Sequence, residues 1–320
     1  MRVSVIVPLY NEERYIDIFL NSLINQTYPK DEMEWILVDG CSTDRTAEII
    51  RRYAESYPIV LLTNEKRKAP YALNIAIEAA RGDYIIRLDA HASFPPDYIE
   101  KCVHYLDTTD ADNVGGVAET KSNGFMGNAI AKMLATKFGV GGSSFRVGDG
   151  NRYVDTVPFG AFRREVFERV GLFNTSLIRS EDNDMNSRIR QSGGKIWLAD
   201  DIKFEYYCRD TVKGILKMGM QNGNALFFTL KQNIGAMSLR HMIPFCFLMS
   251  LLLMPILCVF LPIFRWLFAA ELSLYFALDI YFSFCNKEPK YGLITLWLYP
   301  LFHIVYGFGS LLSLFNVKLY

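Results

Sequence analysis

The segment "VSVIVPLYNEERYIDIFLNSLINQ" (residues 3–26) holds the pattern from which the architecture follows. Residues 3–10 form a run of β-branched and apolar residues ended by Pro8, the composition of a buried strand. Beyond it Tyr15, Ile16, Phe19, Leu20, Leu23 and Ile24 recur at helical spacing. Asn11 is placed to cap that helix, with Glu12 and Glu13 at the positive end of its dipole. The alternation then repeats. "EWILVDG" reads as a strand ending at Asp39, "STDRTAEIIRRYAES" as a helix capped by Ser42 or Thr43, and "PIVLLTN" as a third strand. "PYALNIAIEAARG" reads as a helix stopped at Gly82, and "YIIRLDA" as a fourth strand. This spacing predicts right-handed βαβ units, and so an α/β fold on a mostly parallel sheet. Ligands of such sheets bind outside the carboxyl ends of the strands. Here those ends carry Pro8, Tyr10, Asn11 and Glu12, then Asp39, then Asp89 and His91.

Composition removes several functional classes. The first strand is followed by "PLYNEE", with no glycine, so the G-x-G-x-x-G dinucleotide loop is missing, as is a P-loop. A nucleotide would have to be held without a glycine-rich phosphate loop. The 34 Lys and Arg balance 34 Asp and Glu, which gives no electrostatic case for a nucleic-acid partner. Six cysteines show neither CxxC nor zinc spacing and read as reduced and structural. The amino-terminal apolar run is too short for a signal peptide, so the globular part is expected to stay in the cytosol.

The later globular sequence is less regular. Residues 137–150 read as a glycine-rich mobile loop. Residues 157–174 read as a strand or turn and then a short helix, and residues 180–197 as a helix with an acidic start, ended by Gly193 and Gly194. Two groupings carry chemistry. In "IIRLDAHASFPPDY" (residues 85–98), Asp89 and His91 sit one residue apart where a strand gives out, a pattern that suits a pair of metal ligands. A hard carboxylate beside a softer imidazole favours manganese over magnesium. In "SEDND" (residues 180–184), carboxylates gather at a helix start, where they are common for dipole reasons alone.

The ordered set "VSVIVPLYNEE", "VDGCSTDRT", "RLDAHA" and "EDNDMNSRIRQSGG" resembles the inverting family 2 glycosyltransferases of GT-A fold, over roughly residues 1–205. The "LDAHA" variant, "GGSSFRVG" and the apolar tail are most similar to membrane-attached bacterial exopolysaccharide glycosyltransferases of the succinoglycan-biosynthesis type. The resemblance implies a nucleotide sugar, a UDP-sugar first, as donor. It implies donor binding by Pro8, Tyr10, Glu12, Asp39 and Asn74, with Tyr10 stacking on the base. Asp39 departs from the common pattern by an inserted Cys41. The resemblance also implies Mn2+ or Mg2+ on Asp89 and His91, the latter standing where the family usually has a second aspartate. Asp182 is implied as the base that takes the acceptor hydroxyl's proton, with Asp184 as runner-up, and Glu181, Asp184 and Arg188 as supporting or substrate residues. Arg190 reads as a helix-surface residue. The Q-x-x-R-W motif of processive members is not matched by "QNGNAL" (residues 221–226), which argues for single sugar addition.

From Met242 onward the chain is almost entirely apolar. Residues 243–264 and 293–315 are long enough to span a hydrocarbon core. Residues 266–284 form a weaker span or an interfacial hairpin, because they contain Glu271 and Asp279. Residues 211–232 read as an amphipathic interfacial helix, with Lys213 and Lys217 on one face. The expected organisation is a GT-A catalytic domain at 1–209, an interfacial helix at 210–235 and a membrane region of two to three helices at 236–320. If all three cross, Lys231, Arg240, Lys287 and Lys290 would lie on the cytosolic side of a multi-pass cell-membrane protein, with only Arg265 on the outer turn. The acceptor expected is a polyprenyl-diphosphate-linked glycan in surface or exopolysaccharide synthesis. A polyprenyl-phosphate glycosyltransferase, whose lipid phosphate attacks without a strong base, is the alternative. A non-catalytic scaffold is disfavoured by the intact Asp39, Asp89 and Asp182.

Overall fold

The computed structural model describes residues 1–148, 150–177, 179–284 and 288–319. Asp149, Cys285 and Lys287, which figure in the sequence reading, lie outside the described residues. Nine strands are described: β1 (Val3–Leu9), β2 (Met33–Asp39), β3 (Ile59–Thr63), β4 (Tyr84–Arg87), β5 (Ala92–Ser93), β6 (Asn113–Lys121), β7 (Arg152–Tyr153), β8 (Ala161–Arg163) and β9 (Ile196–Tyr207). The described α-helices begin with α1 (Ile16–Ile24), α2 (Thr46–Ala54), α3 (Ala69–Ala79), α4 (Tyr98–Thr108), α5 (Gly124–Leu134), α6 (Lys137–Val140) and α7 (Ser144–Val147). They continue with α8 (Arg164–Val170), α9 (Glu181–Gln191), α10 (Val212–Gln232), α11 (Ile243–Phe260), α12 (Ile263–Phe284) and α13 (Gly292–Leu314). The chain divides into two compact units, residues 1–119 with 148–207, and residues 120–147 with 208–320. The expected boundaries at 209 and 235 are replaced by one at 207, and residues 120–147 go with the tail.

In the first unit the sheet runs β3-β2-β1-β4-β8-β6-β9-β5, with β7 beside β9. The first four strands are parallel, as expected. The pairings of β8 with β4 and β6, and of β9 with β5 and β7, are antiparallel, so the sheet is mixed. β2 is buried along its whole length, as parallel strands covered on both faces are. β3, at the edge, is half exposed. α3 packs on β1 and β2, and α4 on β8 and β9. The order reverses between β1 and β4, which opens a crevice at their carboxyl ends.

The loops at that edge are tied together by side chains. Asn11 does not cap α1. It has a left-handed backbone (φ 54°), and its Oδ1 accepts from Thr43 N at 2.8 Å. Asn11 N donates to Ser42 Oγ, and Glu12 N to Thr46 Oγ1. Neither Ser42 nor Thr43 caps α2, and the carboxylate that accepts from Thr46 N is that of Asp44. The helix read from Asn11 therefore starts at Ile16, because residues 11–15 serve the β1–β2 edge instead.

In the second unit, residues 137–148 are not a plain loop but contain α6 and α7. α10 buries one face and leaves the other partly exposed. It buries Ile215, Gly219, Gly223, Asn224, Ala225, Leu226 and Thr229, and its main partner is α13. A Cβ on Gly223 would lie 1.9 Å from Tyr306 O, and one on Gly309 2.2 Å from Met220 O, so glycine is what permits this backbone approach. Leu261 and Pro262 separate α11 from α12, so the first apolar stretch ends at Phe260 rather than bending through Pro262. Among the described residues, three helices are long and apolar enough to cross a membrane by length and composition. α12 buries Asp279 and Ser283 and exposes Trp266, Leu274, Phe276 and Ile280. That distribution, polar inside and apolar outside, is the reverse of a water-facing helix.

At the amino ends of the strands, buried Glu34 binds three groups. Its carboxylate accepts from Ser4 Oγ (2.6 Å), Arg81 N (2.6 Å) and Arg81 Nε (2.9 Å). Burial alone would raise its pKa, but these hydrogen bonds outweigh burial and hold it below the ordinary 4.5. A carboxyl lowered by folding adds stability above its unfolded pKa, and that stability is lost as pH falls through the folded value. Glu34→Gln should therefore cost about 1–3 kcal/mol at neutral pH. In thermal unfolding of the full chain in micelles, the gap to wild type should close as the pH is taken below 4.5. A gap that is constant with pH would remove the carboxylate's charge from the account.

Candidate active site

Arg87 ends β4 in an apolar run, and its N donates to Gly160 O at 3.0 Å. Its side chain is only 5% exposed. The guanidinium donates to Asp182 Oδ1 and lies 3.4 Å from both Asp89 Oδ1 and Glu181 Oε1. Residues from a strand end and a helix start thus meet on one cation. The start of α9 is fixed by a buried amide network. Asn113 Nδ2 donates to Asn186 Oδ1 (2.6 Å), and Asn186 Nδ2 donates to Thr156 Oγ1 (2.8 Å) and Val157 O (3.1 Å). Thr156 Oγ1 in turn donates to Asn183 Oδ1 at 3.1 Å.

Burial pushes the Asp182 carboxyl above the ordinary carboxylate range. Arg87 opposes this, while Glu181 and Asp89 add to it. The Asp182 side chain keeps a quarter of its surface, so an approaching hydroxyl can reach it. A carboxylate with raised pKa is a better proton acceptor than an ordinary one.

Asp89, Ala90 and His91 form a tight turn, with Ala92 N donating to Asp89 O at 3.2 Å. β9 secures it. Ala92 pairs with Tyr206, Tyr207 N donates to His91 O, and the His91 ring meets Tyr206 edge-on at 5.3 Å. His91 Nδ1 lies 3.1 Å from Glu12 Oε1. Phe94 stacks on Phe204 and meets Tyr98 at 4.7 Å, which anchors the segment below the turn. Among the described residues, no group of three or more His, Cys, Asp and Glu side chains is placed to hold a metal ion. A carboxylate on one nitrogen of a histidine is nevertheless the usual support of a metal-binding imidazole.

The other expected residues fall into two sets. Asp39 is at the same edge, at the end of β2. It accepts from Ser42 N (3.1 Å) and Ser42 Oγ (2.5 Å), and the extra Cys41 takes up a left-handed conformation (φ 58°) that lets the chain fold back. Pro8 lies in β1 beside Val38, and Tyr10 just beyond it is exposed. Asn74 is engaged elsewhere. Its amide donates to Phe173 O and accepts from Phe173 N, both at 2.9 Å. Asp184 is buried and pairs with Arg188 Nε at 2.9 Å. Arg188 donates to Val170 O (2.5 Å) and Leu172 O (2.9 Å), so it is neither a surface residue nor one gathered around Arg87. Asp184 and Arg188 hold the turn after α8 to α9. Arg190 is exposed.

Arg87 was not singled out from sequence, although a signal exists. An arginine inside a strand otherwise buried on both faces must find carboxylates.

An acidic crevice on a mixed sheet of this order is the architecture of the GT-A-like enzymes. The glycosyl transferase family 2 model matches residues 4–171. The chain is 30% identical over 316 residues to the dolichyl N-acetyl-alpha-D-glucosaminyl phosphate 3-beta-D-2,3-diacetamido-2,3-dideoxy-beta-D-glucuronosyltransferase of Methanococcus voltae, covering 96% of this chain and 95% of that one. It is 31% identical over 243 residues to the succinoglycan biosynthesis protein ExoA of Rhizobium meliloti, covering 75% and 73%. The mannosyltransferase PcManGT from Pyrobaculum calidifontis, solved in complex with GDP-Man and Mn2+, shares the fold with a TM-score of 0.69 at 22% identity, over 99% of this chain and 88% of that one. TarS of S. aureus, solved with UDP-GlcNAc, matches with a TM-score of 0.51 at 20% identity, over 70% and 67%. The chain belongs to glycosyl transferase family 2. It is a glycosyltransferase.

Two arginine variants separate site from scaffold. Arg87→Met leaves three carboxylates facing one another and should cost about 3–5 kcal/mol of stability as well as activity. Arg87→Lys keeps the charge but loses the planar fork. It should fold, and lose transfer more than stability. Arg188→Met should do the reverse, lowering the melting temperature with a smaller fall in turnover per folded molecule. Equal effects of Arg87→Lys and Arg188→Met on turnover would show that Arg87 is scaffold too.

Proposed function

We propose that the chain moves one sugar, with inversion, from a nucleotide sugar to a hydroxyl of a polyprenyl-diphosphate-linked glycan. The reaction would belong to surface or exopolysaccharide synthesis. The protein would sit in the cell membrane by its apolar helices, multi-pass, with the first unit facing the cytosol. The observation that carries this reading is the meeting of Asp89, Glu181 and Asp182 on buried Arg87 at the carboxyl edge of the sheet. The names of the Methanococcus and Rhizobium relatives support a lipid-linked acceptor and polysaccharide synthesis. The ligands of the two solved neighbours support a nucleotide-sugar donor. UDP is the nucleotide proposed first, and the release of UDP or GDP decides between them.

Asp182 is assigned the proton. An acceptor hydroxyl is a poor nucleophile until a base takes its proton during attack. Arg87 keeps the carboxylate aimed and in place. Attack from the side opposite the leaving diphosphate inverts the anomeric centre. Tyr10 offers an exposed ring for the base of the donor, beside Pro8 and Asp39. Asp89 and His91 are a donor set that suits Mn2+ better than Mg2+, with Glu12 orienting the imidazole. Two protein ligands suffice where substrate phosphates complete the shell. A cation bound there would stabilise the negative charge of the departing diphosphate.

The tests separate base, metal and donor. Asp182→Asn should leave nucleotide affinity near normal and lower transfer by roughly a hundredfold or more. Asp184→Asn should mainly destabilise. Chelation should stop transfer, with manganese restoring it better than magnesium. Asp89→Ala should be inactive, and His91→Asp should shift the preference toward magnesium. Inactive Asp182→Asn with full transfer to a lipid phosphate would mean the wrong acceptor class, and an active Asp182→Asn the wrong base. Unchanged metal preference in His91→Asp would take His91 out of the site.

A further inference from the structure

The end of α10 and the chain after α13 form a surface that catalysis does not use. Asn224 Nδ2 donates to Val317 O at 2.8 Å, and Leu319 N donates to Asn224 Oδ1 at 3.2 Å, so residues 315–319 are held against α10. Lys231 donates to Asn316 Oδ1 at 2.5 Å. Two ammonium groups then converge on one ring. Lys231 Nζ lies 5.9 Å and Lys318 Nζ 5.3 Å from the centroid of Phe228. In the adjoining stretches of chain Ile234 is 80%, Leu239 86% and Phe315 71% exposed. No Asp or Glu occurs in the sequence from residue 211 to 270, or after Glu288. Two like charges are therefore gathered on one ring, in stretches of sequence that hold no Asp or Glu side chain.

We infer that Lys231 and Lys318 bind the phosphate of an anionic bilayer phospholipid, with Ile234, Leu239 and Phe315 set into the acyl boundary. The inference rests on the proposed membrane location, with an even number of the apolar helices crossing, so that Lys231 and residues 315–319 lie at the same face of the bilayer. An aromatic ring holds the ammonium groups in place by cation–π attraction without cancelling their charge. Apolar residues beside lysines are the composition of a segment that lies at the headgroup level. A free phosphate or the phosphate of a lipid-linked substrate has the same chemistry. The exposed apolar residues favour the bilayer lipid over the first, and the absence of any assigned catalytic residue from this unit favours it over the second.

The test uses the purified full chain in dodecyl maltoside micelles doped with phosphatidylglycerol or phosphatidylcholine, with bound lipid counted by native mass spectrometry. Wild type should retain phosphatidylglycerol over phosphatidylcholine. Lys231→Gln with Lys318→Gln should weaken that retention about twenty-five-fold, at about fivefold for each basic residue lost near an anionic surface. Lys213→Gln with Lys217→Gln, at the other end of α10, should leave it intact. Lys318→Gln alone, in the terminal segment, gives a smaller loss of the same kind and guards against misfolding of the double variant. Equal retention of both lipids, or equal loss in both lysine pairs, overturns the site. So does displacement by inorganic phosphate, or tighter retention of undecaprenyl phosphate, either of which gives the lysines to another source of phosphate. Membrane residence is read separately, by resistance to alkaline carbonate extraction. A protein that resists extraction but shows no lipid preference loses the headgroup site alone.

Discussion

A buried guanidinium among three carboxylates is the constraint on which the catalytic unit turns. Without Arg87, the side chains of Asp89, Glu181 and Asp182 would repel one another in a crevice where water screens poorly. With it, β4 and α9 are drawn to one point although about ninety residues separate them in sequence. One guanidinium thus faces three carboxyl groups, and one of them, Asp182, holds its proton more tightly than an ordinary carboxylate.

The same reasoning separates carboxylates that sequence alone treats alike. Asp182 and Asp184 lie two positions apart on α9, which turns their side chains to different faces. Asp182 reaches the sheet edge and Arg87. Asp184 turns inward and pairs one turn later with Arg188, whose remaining donors close the carbonyls at residues 170–172. One acidic run supplies both a group that faces the crevice and a structural one, and helix geometry decides which is which.

What could be read in advance follows from range. The strands and helices of residues 3–87 were legible because period and composition are local, and the convergence at the carboxyl edge follows from topology. The paired loops at Asn11 and Thr43 were not, because a cap residue can serve any nearby amide and sequence does not say which. Asn74 had the right residue type for donor binding, but its amide is engaged by the peptide of Phe173. The role of Arg87 needs the distance between β4 and α9, which no local pattern contains. α10 looked amphipathic because Lys213 and Lys217 share a face. Gly219 and Gly223 are what admit it to α13.

The neutral net charge conceals a division that only the fold reveals. Residues 120–147 and 208–320 together hold thirteen Lys and Arg against four Asp and Glu, while the remainder holds twenty-one against thirty. Averaged over the chain, this gives zero and excludes a polyanionic partner. Taken unit by unit, it does not. The acidic unit is the one that holds the crevice. The basic unit carries the three described helices long and apolar enough to cross a membrane, and two of its four Asp and Glu residues, Glu271 and Asp279, lie within α12, where Ser250 and Ser283 donate to them. Basic residues near an anionic leaflet are attracted to it, and acidic ones are repelled. A bilayer with anionic headgroups would therefore pull on the basic unit and push on the acidic one.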